Sequence, residues 1–180
     1  MERYRIVEGI GLYFATFTVV DWLPVFVSEN TCKIVTDSFN YCIEKKYLRV
    51  NAYVIMPTHV HSIIFDAEFD SKRLKHTLDD LRKFTGRNLV DYCDKHLPYS
   101  YTQTFKRLAG EDRERRFWQE TRHPVGIFTQ KFWKQKMDYL HMNPIRKGLI
   151  SAPEDWRFSS AAFWMKSKQE NDVNLSDAVW

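Results

Sequence analysis

Apolar and small side chains alternate along "GLYFATFTVV", with Leu12, Phe14 and Thr16 on one phase and Tyr13, Ala15 and Phe17 on the other, which predicts a β-strand. The period then changes. Ile34, Val35, Phe39, Cys42 and Ile43 recur at helical spacing through "KIVTDSFNYCIEKKY", and Ser28 or Asn30 is placed to cap that helix. "LRVNAYVIM" is β-rich and stops at Pro57, and "HVHSIIF" follows after Thr58, so the two runs predict an antiparallel hairpin turning near Pro57. A second helix is expected after Asp70 or Ser71, with Leu74, Leu78, Leu81, Leu89 and Val90 as its apolar stripe and Gly86 as a break or bend.

Residues 98–116 carry turn signals and charges and read mostly as loop. "RFWQETRHPVGIF" holds a last strand, and Thr129 caps "QKFWKQKMDYLHMN", which Pro144 and Gly148 close. "PEDWRFSSAAFW" and the polar residues after it show no clear periodicity, and no internal repeat or low-complexity segment is visible. The order β, α, β, β, α, β, α predicts an α+β fold, an antiparallel sheet with helices packed mainly on one face. One domain is expected over residues 1–165, followed by a polar tail over 166–180.

Composition narrows the functional classes. A chain of 180 residues that is 44% hydrophobic and 16% aromatic can bury one substantial core, which excludes a disordered protein. No run approaches the roughly 18 apolar residues of a membrane span, and no signal-peptide pattern opens the chain. Three cysteines, Cys32, Cys42 and Cys93, are an odd number without CxxC spacing, so neither a disulfide framework nor a cysteine zinc site is expected. The expected compartment is a reducing cytoplasm. The net charge of +4 permits a polyanionic partner without requiring one. Its distribution says more, because Lys and Arg cluster in "DSKRLKHTLDDLRKFTGR", "FKRLAGEDRERRFW" and "NPIRKG", interleaved with aromatics or amides as on nucleic-acid surfaces. Solvated helix faces give the same pattern, so the clusters alone do not decide.

Two stretches carry chemistry. In "PTHVHSIIF", His59 and His61 stand two apart in a strand and therefore point the same way. Such a pair can chelate one metal ion, or it can cap an edge or bond to a neighbour. In "KQKMDYLHMNPIRKGL", Trp133, Met137 and Leu140 form a core stripe, while Tyr139 shares another face with Phe132, Lys136 and Asn143. A lone helical tyrosine is ordinarily a packing residue; a tyrosine and an amide one turn apart beside a candidate metal site are less ordinary. His141 points to a different helix face and is assigned to surface or packing.

"NAYVIMPTHVHSIIF", "LRKFTGRNL", "FWQE" and "DYLHMNPIRKGLI" followed by "PEDWRFSSAAFW" resemble the single-tyrosine HUH transposases, and most closely the REP-associated tyrosine transposases, from about residue 10 to residue 164. The resemblance implies a ferredoxin-like HUH endonuclease fold. It also implies that His59 and His61 bind a divalent metal, Mg²⁺ or Mn²⁺, that Tyr139 attacks DNA, and that Asn143 completes the metal site. The implied substrate is single-stranded DNA folded into imperfect hairpins of repetitive extragenic palindromes. Insertion-sequence transposases often carry Gln at the Asn143 position, and the 98–116 segment is longer than the family pattern.

The chemistry is coherent on its own terms. A phenol oxygen attacks a phosphodiester in line, a metal on the histidines offsets the developing charge, and Lys136, one turn before Tyr139, favours the phenolate. The products are a 5′-phosphotyrosine and a free 3′-hydroxyl, so strand transfer needs no ATP. Arg82, Lys83 and Arg87 in "LRKFTGR" and Arg146 and Lys147 in "NPIRKG" are the expected phosphate contacts of a monomer or homodimer. Two other functions fit the same residues: a hairpin-binding protein without cleavage, and a metal phosphodiesterase in which Tyr139 is only structural.

Overall fold

In the computed structural model, which describes residues 6, 8–111, 113–120, 124–166 and 170–178, four strands form one antiparallel sheet. They are β1 (Leu12–Thr18), β2 (Leu48–Met56), β3 (His59–Asp66) and β4 (Val125–Ile127), in the order β2-β3-β1-β4. Pro57 and Thr58 make the tight turn of the β2–β3 hairpin. Pairing of β1 with β3 sets Thr16 opposite His61 and Thr18 opposite His59.

The expected caps hold their helices. Ser28 accepts a hydrogen bond from the Thr31 backbone N–H at the start of α1 (Glu29–Lys45), and Asp70 accepts from Lys72 and Arg73 at the start of α2 (Ser71–His96). α2 runs through Gly86 without the expected break. Gly86 instead lies under Trp118, whose Cδ1 would stand 3.4 Å from an added Cβ, so the glycine brings an indole close to the helix. A further helix, α3 (Tyr99–Arg107), occupies much of the segment read as loop. Its Pro98 and Ser100 look like turn residues, but they also suit a helix start. Thr102 and Phe105 face inward from it, and the Thr102 hydroxyl donates to Asp94.

Alternation divides the sheet into two faces. Tyr13, Ala15, Phe17, Tyr53, Ile55, Val60 and Ile64 form one cluster with Val35 and Phe39 of α1 and Leu74, Leu78, Leu81 and Leu89 of α2. The long helices thus share one face, as the sequence pattern predicts. α4 (Gln130–His141), capped by Thr129, crosses the other face, where Met137 and Leu140 pack on Leu12, Phe14, Val54, Met56, Ile63 and Phe65. α5 (Asn143–Arg146) follows immediately, and α6 (Ala161–Met165) comes after a 3₁₀ turn.

The open edge of β2 is covered by chain from beyond α5. Ser160 N–H donates to the Tyr53 carbonyl and Ser176 N–H to that of Val50, while Val173 is buried in the larger cluster. The described residues 170–178, although polar in sequence, are therefore part of the packed fold. Asn51 sits at an irregularity in the β2–β3 pairing and accepts from the Trp133 indole through its side chain and from the Trp164 indole through its carbonyl. Cys32, Cys42 and Cys93 are buried and unpaired. Among the described residues, no helix is long and apolar enough to cross a membrane.

Candidate active site

His59 and His61 begin β3 on the α4 side, with ring centroids 4.6 Å apart. His61 is 6% exposed and His59 is half-buried. α4 brings Tyr139 over them. The Tyr139 and His61 centroids are 5.6 Å apart at 64°, and Phe14 of β1 lies edge-on to Tyr139 at 5.9 Å and beside His61 at 5.1 Å. Tyr139 is 41% exposed, so its ring rests on the histidine cluster while remaining open to solvent.

Cations flank that phenol ring. Lys136 places its Nζ 4.9 Å from the Phe14 centroid and 5.8 Å from that of Tyr139, and Arg146 places its guanidinium 5.0 Å from the Tyr139 centroid. Arg146 also donates to the Tyr139 carbonyl at 3.4 Å. Burial lowers the pKa of Lys136. An open groove of about 550 Å³ runs past the tyrosine, lined by Lys131, Lys134, Lys136 and Arg146 together with Asp138.

The histidines are kept neutral. Burial, with a smaller contribution from Lys147, lowers His59 to about 4; burial, then His59 and Lys136, lowers His61 to about 3. Thr16 and Thr58 hydroxyls lie 2.8 Å and 2.9 Å from Nδ1 of His61 and His59. Neither Nε2 has a hydrogen-bond partner among the described residues. Two neutral imidazoles on one face are a suitable donor pair for a divalent transition ion. No group of three His, Cys, Asp or Glu side chains stands together among the described residues, so a third ligand drawn from these residues would be of another type.

Asn143 is one such type. It is only 5% exposed, in contrast to the open helix face predicted for it, and its amide has no hydrogen-bond partner among the described residues. His141 is buried, with Nε2 2.8 Å from Ser160 Oγ, and ties the end of α4 to the β2 edge. It is a packing residue.

No protein-family model matches the chain. In sequence, 172 residues align at 22% identity with a Haemophilus influenzae protein named "Putative REP-associated tyrosine transposase", covering 89% of this chain and 85% of that one. In structure, the chain matches a REP-associated tyrosine transposase solved bound to a REP hairpin, with a TM-score of 0.60 and 18% identity over 98% of this chain and 93% of that one. The chain resembles the REP-associated tyrosine transposases.

The other phosphate contacts expected from the sequence, Arg82, Lys83 and Arg87, are not at this site. They lie on α2, across the sheet from the histidines, in a cleft of about 660 Å³ shared with Arg113, Arg115 and Arg116. Many of these charges are engaged internally. Arg82 donates to the Gln119 carbonyl at 2.6 Å and lies over Phe17, Arg115 pairs with Asp91 and Asp94, and Arg116 pairs with Glu120. Phe14, Thr16 and Thr58 escaped the sequence reading. The alternation of β1 puts Phe14 and Thr16 on one phase, but only the register with β3 sets them beside His61.

Proposed function

We propose that the chain is a metal-dependent enzyme that cleaves and transfers single-stranded DNA carrying hairpins, through a 5′-phosphotyrosine on Tyr139. The observation that carries this reading is the 5.6 Å separation of the His61 and Tyr139 rings, which joins a strand pair and a helical phenol in one open site. The two relatives, one of them solved with a REP hairpin, support a hairpin substrate.

The Tyr139 oxygen attacks the phosphorus, the phenol proton leaves, the bond to the 3′-oxygen breaks, and that oxygen takes up a proton. Lys136 and Arg146, placed over the Tyr139 ring, attract the incoming phosphate and offset the negative charge that develops on it. Phe14 fixes the ring against His61, so little rotation is needed at the moment of attack. A second 3′-hydroxyl can reverse the step, because the phosphotyrosine retains a phosphodiester linkage. His59, His61 and Asn143 would hold Mg²⁺ or Mn²⁺, which when bound polarises a non-bridging phosphate oxygen; imidazole donors favour Mn²⁺. Lys147, near His59, and the lysines of the groove extend a positive path for the strand.

Incubation with end-labelled single-stranded hairpin DNA and Mn²⁺, followed by a denaturing gel, tests the reading. A labelled protein band that disappears in Tyr139→Phe is expected. Cleavage without such a band would make the protein an ordinary phosphodiesterase, and binding without cleavage would make it a hairpin-binding protein.

A further inference from the structure

Thr16 and Thr58 come from different elements and make the same contact. Thr16, on β1, lies directly opposite His61 in the strand register, and its hydroxyl is 2.8 Å from Nδ1 of that ring. Thr58, in the hairpin turn, sets its hydroxyl 2.9 Å from Nδ1 of His59. In both cases Nδ1 is engaged, and neither Nε2 has a hydrogen-bond partner among the described residues. A neutral imidazole has one N–H and one lone pair, and only the nitrogen with the lone pair can bind a cation.

We propose that Thr16 and Thr58 are positioning residues that accept the Nδ1–H of His61 and His59, fixing both rings in the tautomer that presents the Nε2 lone pairs to a divalent cation. The proposal rests on the metal centre of the preceding section and assigns what prepares it. Without such partners each ring would exchange between tautomers, and one form of each would be unable to ligate. Outer hydroxyls that hold the far nitrogen also restrict ring rotation, so the cation meets two ligands already aimed.

The two threonines are not equivalent. Thr16 is held in a strand paired on both sides, by β3 and by β4 near its start, and it serves the more buried histidine. Thr58 belongs to a two-residue turn and serves the half-buried one. Loss of Thr16 should therefore be felt more strongly than loss of Thr58.

Long-range ¹H–¹⁵N correlation spectra of the whole metal-free protein, labelled at histidine, read the tautomers directly. Both His59 and His61 should be Nδ1–H. Thr16→Val keeps the β-branched shape and removes the acceptor, so His61 should become a tautomer mixture, and Thr16→Ser should restore the single form. Mn²⁺ affinity, measured by water-proton relaxation, should fall about 10–100-fold in Thr16→Val and less in Thr58→Val. If Thr16→Val does not fold, the wild-type and Thr16→Ser spectra still decide. Rings that carry Nε2–H in a protein that binds Mn²⁺ would overturn the threonine assignment alone, as would an unchanged His61 tautomer in folded Thr16→Val. Nδ1–H rings in a protein that binds no Mn²⁺ would instead refute the metal centre, and with it the purpose given to the two hydroxyls.

Discussion

The two faces of the sheet share every backbone hydrogen bond and differ in what covers them. On one face, Tyr13, Ala15, Phe17, Val60 and Ile64 are sealed beneath the 17-residue α1 and the 26-residue α2. On the other, the same strands present Phe14, Thr16, His59 and His61 to the 12-residue α4, which buries Met137 and Leu140 but leaves Tyr139 41% exposed. Burial of large apolar side chains stabilises the first face by roughly 1.5–3 kcal/mol for each residue fully buried. The second face gives up part of that gain to keep the Tyr139 ring accessible. A period of two lets one strand do both, because adjacent residues never compete for the same environment.

Removing the chemistry of the open face should have the largest effect. His61→Ala, or EDTA added to the wild type, should reduce DNA cleavage to background in the gel assay, with Mn²⁺ restoring activity only after EDTA. Full cleavage in EDTA would leave the histidine pair as a structural feature and erase the functional contrast between the faces.

Disrupting the sealed face should affect stability instead. Phe39→Ala removes a fully buried ring from the cluster under α1 and should cost about 3–5 kcal/mol in urea unfolding. Activity per folded molecule should be unchanged. A comparable loss of activity in the fraction that remains folded would mean that the two faces are mechanically coupled.

Acid should weaken the α4 side first. Burial is the main cause that lowers His59 to about 4, His61 to about 3 and His141 to about 4, all below the ordinary 6.5. Between those values and about 6.5 the unfolded chain binds more protons than the folded one, so stability rises with pH. The contribution of these residues is complete above about pH 6.5 and is lost progressively as pH falls from there to about 3. Urea unfolding at several pH values should show a loss on the order of a few kcal/mol across that window. A flat profile would show that the rings are already charged in the fold.

The elements that are closed locally were legible in the sequence. Ser28, Asp70 and Thr129 cap three helices, and Pro57 with Thr58 turns the hairpin, because caps and turns depend on a few neighbouring residues. Features set by distant contacts were not. Gly86 reads as a helix breaker until Trp118 is laid against it, and Val173 reads as part of a tail until it reaches the core beside α1. The same limit applies at the site. His59, His61 and Tyr139 stood out by residue type and spacing, whereas Phe14 and Thr16 acquire meaning only from strand register, and the burial of Asn143 only from the way α5 follows α4.

The basic cleft on the sealed face should give the smallest effect. Lys83→Ala with Arg87→Ala tests phosphate contact there, each contact adding about 0.7 to the slope of log K against log salt on single-stranded DNA. A fall in slope of one to two contacts is expected if the strand or its hairpin reaches round to α2, and an unchanged slope would confine DNA to the α4 groove. Arg82→Ala should differ from both, lowering stability by about 1 kcal/mol because it strips the Gln119 carbonyl of its donor.

The central claim is that the phenol of α4 is the nucleophile of the site on β3. Protease digestion of the covalent protein–DNA complex and mass spectrometry of the nucleotide-bearing peptide test it most directly. The account predicts that the modified peptide contains Tyr139, within "MDYLHMNPIR". Modification at Tyr92 or Tyr101, on α2 and α3, would contradict it, because both helices belong to the sealed side of the sheet.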